Sequence, residues 1–145
     1  MANPFTYDIQ QADYDYDQYD RKGAATFQDV VNTFRRFPWR DQVGIASQGA
    51  EPTLSVKNSK TGIDLWVSVV GSPQRYDYIV GIVYPKQVKG FFGLGSAKEV
   101  RWVTAYTTQS SATVESLFKL YFQGDMPRLT AQMRSLPLFL DQEAR

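Results

Sequence analysis

Between residues 27 and 108 the spacing of apolar side chains changes from a helical period to a two-residue one, and this constrains the fold most. In "TFQDVVNTFRRF", Phe27, Val30, Val31, Phe34 and Phe37 recur at i, i+3, i+4, i+7 and i+10, which is one stripe of an α-helix. Thr26 is placed to cap it, Asp29 sits in the first turn, and Pro38 stops it at Phe37. Thereafter Leu54 and Val56, then Ile63, Leu65, Val67 and Val69, alternate with polar neighbours as half-buried strands do. "YDYIVGIVY" is apolar on both faces, the mark of a central strand. "EVRWVTAYT" reads as the last strand, and a further strand is expected at residues 42–47.

The chain then returns to helix. Val114, Leu117, Phe118 and Tyr121 form one stripe that stops at Gly124, and Asp125 with Pro127 opens another carrying Leu129, Met133 and Leu136. Short connections between strands favour an antiparallel meander. The expectation is an α+β fold: one domain over residues 25–145, with a twisted antiparallel sheet of four to five strands. One N-terminal and two C-terminal helices pack mainly on one of its faces. Residues 1–24 show no sustained period and read as an acidic, Tyr/Asp-rich N-terminal arm.

The 145 residues contain neither cysteine nor histidine. That removes disulfides, thiol nucleophiles and zinc–cysteine sites, the commonest general base and every Ser–His or Cys–His site. The remaining acids are scattered singly, so no catalytic residue, cofactor-binding residue or metal ligand is assigned, and an enzyme is not expected. The N-terminal stretch has no basic leader with an apolar core, and no apolar run reaches membrane-spanning length. The expectation is therefore a cytoplasmic protein with no membrane partner.

"DYDYDQYDR", residues 13–21, is the most unusual stretch. Asp13, Asp15 and Asp17 match the first three ligand positions of a calcium loop. Gln18 replaces the glycine of the sixth position and Ala24 the glutamate of the twelfth, so the metal reading fails. Residues 1–20 carry five aspartates and no Lys or Arg, which leaves the rest of the chain with an excess of six positive charges. If extended, the stretch would set its aspartates on one face and Tyr14 and Tyr16 on the other. Tyrosine gives contact area at low entropic cost and carboxylates pair with Lys or Arg. Asp13, Tyr14, Asp15, Tyr16, Asp17, Tyr19 and Asp20 are therefore candidate partner-binding residues. The aspartates can instead fold back on the chain's own Arg35, Arg36 and Arg40.

"KGFFGLGSAK" has glycines but no following helix, so it is not a phosphate loop. Phe91, Phe92 and Leu94 become a second candidate partner surface, at the tip of a long hairpin. "RRFPWR" interleaves arginine with aromatics, yet Phe34 and Phe37 belong to the buried stripe, and nucleic acid is not an expected partner.

The run from "PTLSVKN" through "DLWVSVVG", "GIVYPK", "KGFFGLG" and "VRWVTAY" to "LFKLYFQGD" resembles small bacterial immunity proteins of polymorphic toxin systems, over residues 27–140. The resemblance implies a non-enzymatic protein that binds a cognate toxin and occludes its active site. The acidic stretch suits a toxin with a basic active-site cleft. That class shares no residue set to carry over position by position. The alternative is a structural or assembly protein acting through homo-oligomerisation.

Overall fold

A computed structural model of the chain describes residues 3–46, 50–89 and 97–144. In chain order the elements are β1 (Phe5–Gln10), β2 (Asp20–Ala24), α1 (Phe27–Arg36), α2 (Trp39–Ile45), β3 (Thr53–Asn58) and β4 (Asp64–Ser72). They continue with β5 (Arg75–Val88), β6 (Lys98–Thr108), α3 (Ser111–Gln123), α4 (Met126–Arg134) and β7 (Leu138–Glu143). All seven strands form one antiparallel sheet in the order β2-β1-β3-β4-β5-β6-β7. The α+β class and the antiparallel pairing agree with the sequence. The counts differ among the described residues, with seven strands against four to five and four helices against three.

The differences have local causes. Residues 5–10 turn Phe5, Tyr7 and Ile9 toward the core, and with only three inward positions their alternation is too short to stand out. They form β1, which lies between β2 and β3 rather than outside the sheet. The strand expected at residues 42–47 is instead covered by helix α2. Trp39, Gln42 and Val43 are its buried residues, a helical i, i+3, i+4 set, and Trp39 Nε1 donates to Phe34 O at 3.0 Å. Finally, α4 ends at Arg134 and Pro137 follows, so Leu138 and its successors pair with β6 as β7.

Helix starts follow local chemistry. Thr26 and Asp29 exchange hydrogen bonds at 3.0 and 3.1 Å in a capping box that opens α1. Ser110 accepts from Thr113 N to open α3, and Gly124 closes it at φ +74°, a left-handed conformation that costs glycine least. The apolar alternation of β3, β4 and β5 delivers Leu54, Val56, Leu65, Val67, Val80 and Ile82 to one face of the sheet. There they meet Val114, Leu117 and Phe118 of α3, Phe34 of α1 and Leu129 and Met133 of α4. Burying each such side chain stabilises the fold by about 1.5–3 kcal/mol. The Tyr121 hydroxyl, buried among them, donates to Ile63 O at 2.5 Å, and burial, with Asp64 nearby, pushes its ionisation upward.

The same strands turn a different set of residues to the other face. Trp66 pairs with Gly81, and a Cβ there would lie 2.2 Å from the indole ring. Glycine is what lets the indole lie against β5.

Candidate functional site

Residues 11–19 connect β1 to β2 and contain most of the acidic, tyrosine-rich stretch. The segment is not extended. Tyr14 N donates to Gln11 O at 3.0 Å and Gln18 N to Asp15 O at 2.9 Å, so it folds into two successive turns. One buried side chain holds it: the Gln10 amide donates to Tyr16 O at 2.8 Å and reaches Gln18 O at 3.3 Å and Asp15 O at 3.4 Å. From the other side, Gln42 of α2 accepts from Ala12 N at 2.6 Å. Both glutamines satisfy loop groups that burial would otherwise leave without partners.

This geometry separates residues that the sequence groups together. Tyr14 is tied to its neighbours: its hydroxyl donates to Asp20 Oδ2 at 2.5 Å and accepts from Gln11 Nε2 at 3.2 Å. The hydrogen bond to Asp20 pushes the phenol's ionisation upward. Asp20 is thus a partner of Tyr14. Tyr16 is 86% exposed and Tyr19 46%, while Asp13, Asp15 and Asp17 all face solvent. The expected two-faced strand is therefore corrected to a turned loop with two outward tyrosines among three carboxylates.

None of these aspartates reaches Arg35, Arg36 or Arg40 among the described residues. Arg35 pairs with Glu115 of α3 at 2.7 Å, and Arg40 donates to Pro73 O with its guanidinium 5.6 Å from the Tyr76 ring. The ion pairs of the described residues leave the loop carboxylates unpaired. Phe91, Phe92 and Leu94 lie outside the described residues.

On the face opposite the helices, side chains from both ends of the sheet line one trough of about 670 Å³. Tyr16 and Tyr19 come from the loop and Phe139 from β7, while Trp66, Ile79 and Val103 come from the strands between. Phe139 is 49% exposed. Neither Trp66 nor Phe139 is anticipated from the sequence. The available signal was the run Leu138, Phe139 and Leu140 beyond Pro137, three consecutive apolar residues that no helical stripe explains.

Beyond Tyr19 the open face carries charges of alternating sign. Arg21 and Asp8 are register partners, Asp8 approaches Lys57 at 3.9 Å, Lys57 is paired in register with Asp64, and Asp64 accepts from Arg101 at 3.1 Å. Burial pushes the carboxyl groups of Asp8 and Asp64 upward, and the adjoining cations counter it. Each carboxylate is matched to a cation, an arrangement that fixes the position of both. Among the described residues no cluster of three or more Asp or Glu side chains suits a metal ion, and no helix is long and apolar enough to cross a membrane.

The site is therefore a preorganised loop, aromatic and acidic, standing at the rim of an aromatic trough. No family model matches the chain, and neither a curated protein nor a solved structure matches it.

Proposed function

We propose that the protein is a non-enzymatic binding protein that docks the basic surface of a protein partner onto the loop of residues 11–19. In this reading it neutralises a cognate bacterial toxin by occluding its active site. One observation carries the proposal: the loop backbone is fixed by Gln10 and Gln42 while Tyr16 stands almost fully in solvent among Asp13, Asp15 and Asp17. An exposed aromatic on a rigid loop loses little entropy on binding, and unpaired carboxylates beside it steer a cationic partner. Phe139 and Tyr19 extend the contact along the trough rim.

The test mixes the protein with the product of the adjacent gene. Because β1 lies inside the sheet, the loop is probed by side-chain replacement. Tyr16→Ala is expected to weaken the complex about tenfold or more, as truncation of a central aromatic does. Replacing Asp13, Asp15 and Asp17 together by Asn is expected to slow association and flatten its salt dependence. A complex indifferent to both changes, or no complex and no rescue of growth on co-expression, overturns the proposal.

A second reading rests on β7. It is an edge strand whose Leu138 is 61% exposed and Phe139 49%, the kind of edge that pairs with another chain. Assembly of the protein with itself through this edge would appear as a concentration-dependent mass in light scattering, abolished by Phe139→Lys.

A further inference from the structure

A cavity of about 340 Å³ lies on the helix side of the sheet, between α4 and residues 82–85 of β5 and 104–106 of β6, away from the tyrosine loop. Its size is at the lower end of the range for small-molecule sites. Helix α4 presents Met126, Thr130 and Met133 to it, an i, i+4, i+7 stripe, and Ile63 and Ile82 complete the apolar wall. Methionine side chains are unbranched and polarisable, so they adapt to a ligand's shape more readily than leucine.

Two polar features set the chemistry. Arg134, in the last turn of α4, lines the cavity and forms no ion pair among the described residues. The second is a chain of hydroxyl groups on the opposite wall. Thr104 Oγ1 lies 3.2 Å from Asp141 Oδ1, an acceptor that also receives Trp102 Nε1 at 2.6 Å. With the single proton of Thr104 committed to that carboxylate, the Tyr84 hydroxyl donates to Thr104 Oγ1 at 3.3 Å. Tyr84 then offers the cavity only lone pairs, which repel an anion. A ligand's negative group belongs at Arg134 and its apolar body among the methionines and isoleucines.

We propose that this cavity binds a small apolar monocarboxylate, with its chain against Ile63 and Met126 and its carboxylate on the Arg134 guanidinium. The site is independent of the partner surface on the other face, and its ligand need not touch the toxin-binding reading.

Octanoate and its uncharged counterpart octan-1-ol serve as probes, titrated into the full chain and followed by amide chemical shifts. Saturable shifts confined to α4 and to β5 and β6 around Ile82 and Thr104 are expected, with octanoate the tighter ligand. Arg134→Gln should lower octanoate affinity roughly fivefold, the scale of one partly solvated ion pair, and leave octan-1-ol unchanged. Thr130→Phe, which fills the space, should abolish binding of both. Should that variant fail to fold, the octanoate and octan-1-ol comparison in the native and Arg134→Gln proteins still decides. Absence of saturation into the millimolar range, shifts centred on the tyrosine loop, or equal affinities with a silent Arg134→Gln would each overturn the proposal.

Discussion

The two faces of the sheet are built from alternate residues of the same strands and do different work. Toward the helices, Leu54, Leu65, Val67 and Val80 are fully buried and packed in the main core with residues of the helices, so this face supplies most of the hydrophobic stabilisation. Away from the helices, Asp8, Lys57, Trp66 and Arg101 form a mixed surface whose order comes from specific hydrogen bonds and ion pairs. Stability concentrates in the first set, which leaves the second open to change without unfolding the chain. A recognition surface that must track a partner is best placed there.

The largest effect is expected on the helix face. Phe118 of α3 is 1% exposed at the centre of the core, and Phe118→Ala should lower unfolding stability by about 3–5 kcal/mol in urea titration. A loss below about 1 kcal/mol would mean that the core tolerates a cavity of that size, and the division between the faces would lose its basis.

The loop on the other face rests on fewer groups, and Gln10 is the one to remove. Gln10→Ala leaves the carbonyls of Asp15, Tyr16 and Gln18 without their shared donor and should cost about 1–3 kcal/mol. The sharper readout is local. Amide exchange of Tyr14 and Gln18, whose N–H groups close the two turns, should accelerate to near that of open chain while the amides of β4 and β5 hold. Partner affinity should fall with loop order although no contacting residue has changed. Retained protection would show that the turns stand without Gln10, and the loop would then owe its shape to Gln42 and Ala12.

How much of this was legible follows the same division. The middle of the helix face was legible, because a stripe such as Val114, Leu117, Phe118 and Tyr121 and an alternation such as Leu65, Val67 and Val69 each repeat several times. Where few residues carry the pattern, it was missed. β1 has three inward side chains, α2 has one helical turn of buried positions, and β7 has apolar residues that stay half in solvent. The site was legible as composition but not as geometry. Tyr14 and Tyr16 are equivalent in the sequence, and only the turns set by Gln10 send one to Asp20 and the other to solvent. The trough was hidden because Tyr16 and Phe139, which line it together, are more than a hundred residues apart.

The smallest expected effect concerns the charges of the open face, and it has a definite sign. Burial raises the carboxyl group of Asp8 more than Lys57 and Arg21 lower it, so the folded chain holds that proton more tightly than the unfolded chain does. Stability contributed by this group is therefore full at acid pH. It is lost as pH rises from the ordinary carboxylate value through the raised folded one, and stays lost above it. Asp8→Asn removes the ionising group together with the partner of Lys57 at 3.9 Å. Because burial and the two adjoining cations act on the Asp8 carboxyl in opposite directions, the net change is a few tenths of a kcal/mol, roughly the size of one surface ion pair. The variant should be slightly more stable than the native chain at neutral pH and equal to it below the ordinary carboxylate range, as read from urea midpoints at both. A loss at neutral pH would show that the pairing with Lys57 outweighs the burial of Asp8. The alternating charges would then be a source of stability in their own right, and the open face would share the task assigned here mainly to the helix side.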